Sequence, residues 1–539
     1  MRKREIETDG VLPPSIMPVV IMKGSDYEMG YQYGQQAAPY IEMVKNGEWA
    51  SAVRRFGTRD KVIRELEILE RYVRDYCPEA IEQMRGISEG AMTAGHVVSY
   101  TDVLLINSGA TNNFPLSAED EETSQDGCSV FSAWGGTTSD GRLICGDTKD
   151  SPFTHQVTLV AFPKEGNHYM LSTAAGQVAE HFAFNNQGLF IGTSAGRARR
   201  KIDFGMGLPR LFAVLHTLQF ARTASEAKDM VAGWSLSGPW NLHFSDVGGS
   251  AFVAEVTAAI KCFRKPGDFG ESDFIYSTNN YFMDPMKETI VGEKFIPHAG
   301  WLGRSSSISS ISRNLQIWNM LQNYQGKVNL EFTKMMLRFP GNPSPYPIDK
   351  KAYYATQGEG WDQKVCNLRN MRAAIVLPDK GDKGAAHICT GPAGRVAYPS
   401  GAKGGDWYPI EGTHTFYRLA LASSPAAVAA ISKTDAHACI GQAYRKLMTV
   451  SYKDPGYSVL NDLFSDAVAE YYQGANAHNR ASFAMGNEAL GYFSNAATAF
   501  TRAQVRAKQV YNALVPPATA PEQLGLNPYG GSWAKWATK

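Results

Sequence analysis

The stretch DGCSVFSAWGGTTSDGRLICGDTKD, residues 126–150, decides the fold. Within it, CSVFSAWG and RLICGD alternate apolar and polar residues around a run of Gly, Ser and Thr, which predicts two strands joined by a turn. The preceding residues, 114–127, read FPLSAEDEETSQDG and contain five acids and few apolar residues, which predicts an exposed loop. The chain therefore passes from a loop into a sheet at Gly127 and Cys128.

This junction also carries chemistry. A thiol can attack the carbonyl of the residue just before it, and a glycine there has no Cβ to obstruct the approach. Hydrolysis of the ester-like intermediate would leave Cys128 as a new N-terminus. Its α-amine, with a pKa of about 7.7 to 8.0, would lie beside a thiol with a pKa of about 8.5 and could accept its proton. A buried cysteine at the start of a strand is the alternative interpretation of the same residues.

Outside this stretch, helices and strands come in runs. Residues 24–110 contain three segments with apolar residues at three-to-four spacing, which predicts helices, and the residues after the junction alternate with a period of two. This order favours a layered α+β fold over alternating parallel βαβ units. A Pro/Gly-rich stretch near residue 405 precedes an Ala-rich helical region. We therefore predict three parts, residues 1–127, 128–405 and 406–539.

The composition excludes several classes of protein. Lys and Arg number 53 against 52 Asp and Glu, so no overall positive field favours a nucleic-acid partner. The seven cysteines are scattered and show no CxxC or zinc spacing, so we expect no disulfide framework, no metal site and no cofactor. No stretch approaches the roughly 18 to 20 apolar residues of a membrane span, and acids and prolines interrupt the first apolar run. We expect a soluble, cytoplasmic protein.

Seven collinear segments are similar to those of a known family. They are GSDYEMGYQYG (24–34), CPEAIEQMRGISEGA (77–91), residues 126–150, FNNQGLFIG (184–192), STNNYF (277–282), SSISR (309–313) and TGPAGRVAYP (390–399). Between about Gly24 and about Tyr398 the chain resembles the Ntn-hydrolase superfamily, and within it the peptidase C45 family of acyl-coenzyme A:6-aminopenicillanate acyltransferase. The resemblance implies a four-layer αββα sandwich, here with an extra C-terminal helical region, and a self-cleaving enzyme that acts on N-acyl bonds.

The resemblance also implies roles for particular residues. Cys128 matches the family's nucleophile, and the bond between Gly127 and Cys128 matches its site of self-cleavage. Asp150 matches the aspartate of the following turn, where a carboxylate could orient the new amine. Asn279 matches an asparagine that can donate to the oxyanion, and Asn185 matches a further asparagine of the family pattern.

The chain also departs from the family pattern. Asp147 and Thr148 stand where an Arg or Gln and an Asn are usual, and Asn280 stands where a His is usual. Asn367 stands where an Arg often follows the cysteine of a late strand, and Arg369 lies two residues further on. Whether Arg369 replaces that arginine is open.

Other residues offer competing interpretations. Gly192–Gly196 reads GTSAG, which fits the nucleophile elbow of α/β-hydrolases with Ser194 as nucleophile, but that fold needs alternating strands and helices. Arg313 opens an apolar helical segment and is interpreted as a residue that braces the core. Three histidines in or beside predicted strands are interpreted as core or rim residues: His155, His181 and His243.

Taken together, these features predict an N-terminal-nucleophile hydrolase that cleaves a linear amide through an acyl-enzyme. Transfer of the acyl group to an amine is an alternative, since it uses the same intermediate. Hydrolysis is favoured because no phosphate site for an acyl-CoA donor is recognisable. A non-catalytic relative with a binding role is the second alternative. The expected partners are a small-molecule amide and the two cleaved fragments themselves, and the sequence is compatible with a homo-oligomer.

Overall fold

The computed structural model describes eleven stretches of the chain. They are residues 17–108, 127–150, 155–180, 182–196, 198, 201–289, 308–339, 365–366, 370–394, 415–519 and 521–525. Most of the predicted loop at 114–127 lies outside them, as do His181, Asn367 and Arg369.

The described residues form fourteen strands and eleven α-helices, which are numbered separately in chain order. The strands are Val19–Gly24 (β1), Gly127–Gly135 (β2), Gly141–Asp150 (β3), Gln156–Pro163 (β4), Tyr169–Ala174 (β5), Phe182–Asn185 (β6), Leu189–Ala195 (β7), Trp240–Asp246 (β8), Ala251–Val256 (β9), Lys261–Arg264 (β10), Phe274–Ser277 (β11), Asn370–Leu377 (β12), Ala385–Thr390 (β13) and Tyr417–Ala420 (β14). The helices are Asp26–Phe56 (α1), Arg59–Tyr76 (α2), Pro78–Thr93 (α3), Tyr100–Ser108 (α4), Arg210–Phe220 (α5), Ala224–Gly233 (α6), Ile308–Asn323 (α7), Leu330–Arg338 (α8), Pro425–Leu447 (α9), Tyr457–Ala481 (α10) and Gly486–Leu514 (α11).

The strands form two sheets. The first has eight strands in the order β1-β4-β5-β6-β7-β8-β9-β10, and the second has six in the order β11-β2-β3-β12-β13-β14. β1 pairs in parallel with β4, whereas the other described pairs are antiparallel. Most neighbouring strands are also consecutive in sequence, as expected for an α+β fold. The predicted fold class is therefore confirmed.

Three apolar clusters separate four layers. Side chains of α1 and α3 pack with one face of the eight-stranded sheet, and the two sheets pack face to face around residues such as Val130, Val160 and Ile388. The outer face of the six-stranded sheet packs on α7 and α8, for example through Phe131 and Leu321. Val130 and Phe131 lie on opposite faces because successive side chains of a strand alternate. The layers run helix, sheet, sheet, helix, as predicted.

Four glycines bring α1 and α3 into close contact. A Cβ at Gly30 would lie 2.0 Å from the carbonyl oxygen of Gln83, and one at Gly34 would lie 2.2 Å from that of Ile87. Gly86 and Gly90 of α3 are equally close to the backbone of α1. Helix packing therefore explains Gly30 and Gly34 of the family-like segment 24–34 and both glycines of segment 77–91.

The C-terminal region is part of the layered core. It contains the predicted helices, but it begins with β14, which pairs with β13 and was not predicted. α11 covers the open edge of β1, where the Val19 N–H donates to Thr498 Oγ1 at 2.9 Å and the Ile21 N–H donates to Ser494 Oγ at 2.9 Å. A covered edge strand keeps its backbone groups satisfied. None of the described helices is both long and apolar enough to cross a bilayer.

Replacing Thr498 with valine tests this contact. Thr498→Val preserves shape but leaves the buried Val19 N–H without its acceptor, so the free energy of unfolding should fall by about 1–3 kcal/mol. The control is Thr434→Val, at an exposed site of α9 where the hydroxyl bonds only to the Ala430 carbonyl of its own helix. Denaturant unfolding of both variants measures the difference, and equal stability would contradict the structural role of α11.

Candidate active site

Cys128 lies at the start of β2, between the two sheets. In the β2–β3 pairing Gly127 is opposite Asp150 and Cys128 is opposite Lys149. Cys128 shares a face of β2 with Val130, which packs against Gly192 of β7 in the other sheet. Its side chain is only 4% exposed. The predicted nucleophile is therefore buried on the face that points into the sandwich.

Asn279 holds the backbone nitrogen of Cys128. The Cys128 N–H donates to Asn279 Oδ1 at 2.9 Å, and Arg313 Nη2 donates to the same oxygen at 2.8 Å. Because both neighbours are donors, the carboxamide oxygen must face them. The carboxamide nitrogen donates to the Ala195 carbonyl at 2.9 Å, and the Asn279 N–H donates to Ser310 Oγ at 2.9 Å. Asn279 is thus locked in one orientation beside Cys128.

Arg313 is a component of the site that the sequence interpretation missed. It is 1% exposed, and its Nη1 donates to the Cys128 carbonyl and, at 3.1 Å, to Ser129 Oγ. The planar guanidinium can make these bonds and the bond to Asn279 at once, which a lysine could not. Arg313 therefore braces the residues around Cys128, whereas the sequence alone indicated only a helix residue that braces the core. A signal was present, since Arg313 is in helical register with the buried Ile317 and Leu321.

Asp150 lies against the bond that is predicted to be cleaved. Its side chain is buried, and Asn370 Nδ2 donates to its Oδ1. A Cβ on Gly127 would lie 2.7 Å from Asp150 Oδ2 and 3.2 Å from Arg313 Nη2. Only a glycine fits at residue 127 without displacing one of these groups. The structure thus brings Cys128, Asp150 and Asn279 together.

Asp147 forms a buried ion pair with Arg372 of β12. Arg372 Nη2 lies 3.2 Å from Asp147 Oδ1, and both side chains are fully buried. Burial raises the pKa of Asp147, and the charge of Arg372 opposes that shift. Burial lowers the pKa of Arg372, and the charge and hydrogen bond of Asp147 oppose that shift. The acid that departs from the family pattern is therefore matched by an arginine from the neighbouring strand, close to the thiol.

Asn280, another departure, anchors the turn after β11. Its Oδ1 accepts from Thr278 Oγ1 at 2.8 Å, from Ser310 Oγ at 3.1 Å and from Asn314 Nδ2 at 2.6 Å. These bonds tie the turn to α7. Asn280 therefore supports both residues that contact Cys128, since Asn279 is in the turn and Arg313 is on α7.

Asn185 is not part of this arrangement. Its Nδ2 donates to the carbonyls of Leu218 and Ala221, each at 2.9 Å, and its Oδ1 accepts from the backbone N–H groups of Gln187 and Leu189. It therefore stabilises the β6–β7 turn and the end of α5. Its contacts among the described residues favour a structural role over the catalytic role that the resemblance implies.

The other candidate groups have structural contacts as well. Ser194 is buried within an antiparallel sheet and donates to the Thr278 carbonyl at 2.6 Å. It lacks the exposure of a nucleophile elbow, and among the described residues the next α-helix begins only at Arg210. His243 is buried, its Nε2 lies 2.8 Å from Ser132 Oγ, and burial lowers its pKa to about 3. His155 is half-buried and packs on Tyr40.

One group of potential metal ligands is found among the described residues, away from this site. It consists of Cys77, Glu79 and His216. Their polar atoms already have partners, since Cys77 Sγ donates to the Phe212 carbonyl and His216 Nδ1 lies 2.8 Å from Glu79 Oε1. Burial strongly raises the pKa of the Cys77 thiol, which opposes the thiolate form that binds metals. The contacts fit a structural cluster.

Comparison with known proteins finds distant similarities. No protein-family model matches the chain. An uncharacterized protein of Archaeoglobus fulgidus is 28% identical over 304 residues, which are 50% of this chain and 51% of that protein, so the match spans about half the length of each.

Three solved structures are similar to about half of the chain. A mutant conjugated bile acid hydrolase from Clostridium perfringens has a TM-score of 0.31 and 12% identity, and the match covers 54% of this chain and 96% of that one. An N-acylethanolamine-hydrolyzing acid amidase ortholog of Caenorhabditis elegans has a TM-score of 0.30 and 13% identity, and the match covers 47% of this chain and 94% of that one. Penicillin V acylase from Agrobacterium tumefaciens has a TM-score of 0.29 and 10% identity, and the match covers 55% of this chain and 91% of that one.

Alanine at residue 127 tests the packing at the junction. Gly127→Ala places a methyl group against Asp150 and Arg313, so the free energy of unfolding should fall by about 1–3 kcal/mol. In the control, Gly47→Ala, the new methyl group meets nothing within 4 Å on α1, and stability should rise by about 0.5–1 kcal/mol. Both variants are compared by denaturant unfolding in a Cys128→Ala background, so that cleavage of this bond cannot intervene. A neutral Gly127→Ala change would contradict the close contact.

Proposed function

We propose that this protein is an N-terminal-nucleophile hydrolase of the peptidase C45 type, in which Cys128 cleaves a linear amide. The observation that carries the proposal is the hydrogen bond from the Cys128 nitrogen to Asn279 Oδ1, with Arg313 bound to both residues. A hydrolase of this type uses one residue as both nucleophile and base. The arrangement suits it because it orients the nitrogen of a buried cysteine.

The first step is cleavage of the precursor. The Cys128 thiol attacks the Gly127 carbonyl, the C–N bond breaks as a C–S bond forms, and the thiol proton passes to the Cys128 nitrogen. Water then hydrolyses the thioester and releases the Gly127 carboxylate. Asp150 is close enough to Gly127 to position this peptide and, afterwards, to favour the protonated form of the new amine.

The second step is turnover of the amide substrate. The free α-amine accepts the thiol proton, the thiolate attacks the substrate carbonyl, and the amine returns the proton to the leaving nitrogen. Water then hydrolyses the acyl-enzyme. Asn279 Oδ1 would orient the amine, and its Nδ2 carries a second hydrogen that could donate to the oxyanion. Each proton is accounted for by groups of this chain, so the scheme requires no cofactor.

The two fragments would remain associated after cleavage. β1 of the N-terminal fragment is paired with β4, and α1 and α3 bury much of their surface on the same sheet. α11 of the C-terminal fragment hydrogen-bonds the other edge of β1. Residues 1–127 would therefore stay bound as a small subunit.

Mass spectrometry tests the proposed cleavage. The purified protein should consist of two fragments, about one quarter and three quarters of the 539-residue chain, with Cys128 at the start of the larger one. Cys128→Ala should remain a single chain and lose amidase activity, whereas the control Ser194→Ala should be cleaved and active. An intact, active wild-type chain, or an inactive folded Ser194→Ala protein, would refute the proposal.

A comparison of two buried asparagines tests the role of Asn279. Asn279→Ala removes the acceptor for the Cys128 nitrogen and a donor to the oxyanion, so self-cleavage should slow and kcat should fall by roughly 10²- to 10³-fold. Asn185→Ala, the matched control, removes turn contacts and should lower stability while the folded protein still cleaves itself. Cleavage rates are followed by gel after refolding. If both variants matured at the wild-type rate, the role assigned to Asn279 would be wrong.

A further inference from the structure

A row of buried basic residues begins beside Cys128. Lys149 is the partner of Cys128 in the β2–β3 pairing, and Arg372 is the partner of Lys149 in the β3–β12 pairing. Directly opposed residues of antiparallel strands lie on the same face, with Cβ atoms about 4.5–5.5 Å apart. Cys128, Lys149 and Arg372 therefore form one row across three strands, on the face that points into the sandwich. Both basic side chains are buried.

A third basic residue reaches this row from α5. Arg210, the first residue of α5, is 8% exposed and stacks over the Trp240 ring at 4.4 Å. Its Nη1 donates to Thr193 Oγ1, and its Nη2 lies 4.0 Å from Glu180 Oε1, the oxygen that also contacts Lys149. Burial lowers the pKa of Arg210 to about 10, and the negative charges of Asp147 and of a Cys128 thiolate, when one forms, oppose that shift.

Three carboxyl groups, from Asp147, Glu180 and Glu48, face this basic cluster. Asp147 pairs with Arg372, and Glu180 pairs with Lys149. Glu48 also faces Lys149, and burial raises the pKa of Glu48 to about 6. Each paired carboxylate, Asp147 and Glu180, keeps one oxygen without a hydrogen bond, but each is neutralised by its cation.

Arg210 shares the Glu180 carboxylate with Lys149 and lies farther from it than Lys149 does. Among the described residues, its one side-chain hydrogen bond goes to a hydroxyl, and its Nε has no acceptor; the Nε of Arg372 also lacks one. A buried guanidinium with an unused donor is unfavourable unless a ligand supplies the acceptor. The unused Nε donors of these two buried arginines need acceptors, which the carboxylate of a ligand would supply.

We infer that the acyl group of the amide cleaved at Cys128 ends in a carboxylate, which binds Arg210 within the cluster of Lys149, Arg210 and Arg372. The inference rests on the proposed function. The Cys128 nitrogen must protonate the leaving amine, and Asn279, which follows β11, holds this nitrogen. The amine half of the substrate is therefore expected on the β11 side of β2, and the acyl half on the other side. The basic row lies on the opposite side of β2, across β3 and β12. The substrate class is therefore the monoamides of dicarboxylic acids.

A matched series of chromogenic anilides tests this inference on the self-cleaved protein. Monoanilides of succinic, glutaric and adipic acid are compared with the same compounds carrying a terminal carboxamide, which removes only the charge. At one or more chain lengths, kcat/KM should be roughly 10- to 100-fold higher for the carboxylate. Equal kcat/KM for carboxylate and carboxamide at every length would overturn the inference.

Variants of Arg210 link the preference to the cluster. Arg210→Gln should reduce the carboxylate-to-carboxamide ratio of kcat/KM by about tenfold or more, and Arg210→Lys, which keeps the charge, should retain much of it. The control is Arg222→Gln, at a largely exposed arginine, which should leave the ratio unchanged. Arg210→Gln could instead lower kcat/KM for both substrates and leave the ratio intact. The positive charge of Arg210 would then stabilise the Cys128 thiolate and not the substrate carboxylate, and the inference would be wrong.

Calorimetry separates this inference from the proposed function. The self-cleaved protein, with its Cys128 thiol blocked by methylthiolation, should bind the carboxylate anilide more tightly than the carboxamide, and the Arg210→Gln change should abolish that difference. If the wild-type protein showed this binding preference but hydrolysed neither compound, the proposed amidase activity would be refuted and the inferred carboxylate site would stand. If the protein hydrolysed both amides with no preference for the carboxylate in rate or binding, the inferred carboxylate site would be refuted and the proposed amidase activity would stand.

Discussion

The pairing register of β2 and β3 is the constraint on which the site depends. In the observed register Cys128 faces Lys149 on the inner side of the sheet, while the residue before Cys128 lies against Asp150. A shift by one residue would turn Cys128 to the outer face, because side chains alternate. Close packing holds the register, since a Cβ at Gly146 would lie 2.3 Å from the Phe131 ring. The same contact explains why the second strand carries a glycine between two buried side chains.

Around this hairpin the protein buries an unusual set of polar groups. Arg313 comes from a helix, Asn279 from the turn after β11 and Arg372 from β12, yet all three surround one cysteine. Burying charged groups is costly unless each finds partners. Asp147 and Arg372 meet this requirement by pairing with each other, and Arg313 does so through oxygens of the backbone and side chains. These contacts hold the cysteine backbone and its surroundings in one geometry.

The terminal regions contribute to the same core. β1 lies at the edge of the eight-stranded sheet, and its outer hydrogen-bonding groups are met by α1 and α11. β14 extends the other sheet at its far edge. Regions that look separate in composition are therefore bound to the sheets by specific backbone contacts, which protects edges that could otherwise pair with other chains.

Local patterns in the sequence were enough to predict the α+β layers, the strand that begins at Cys128 and the change from helices to strands, since periodicity reflects which side of an element is buried. Family-like segments also brought Cys128 and Asn279 together as a hypothesis, and the structure places them in contact. The same reasoning did not foresee the partners of Asn185, which are backbone groups of a turn, or those of Arg313, whose helix is distant in sequence from β2. It could not find Arg210 at all. Only the tertiary structure decided these points, because the environment of a buried polar side chain is set by strands and helices far along the chain, and no local pattern records which of them it meets.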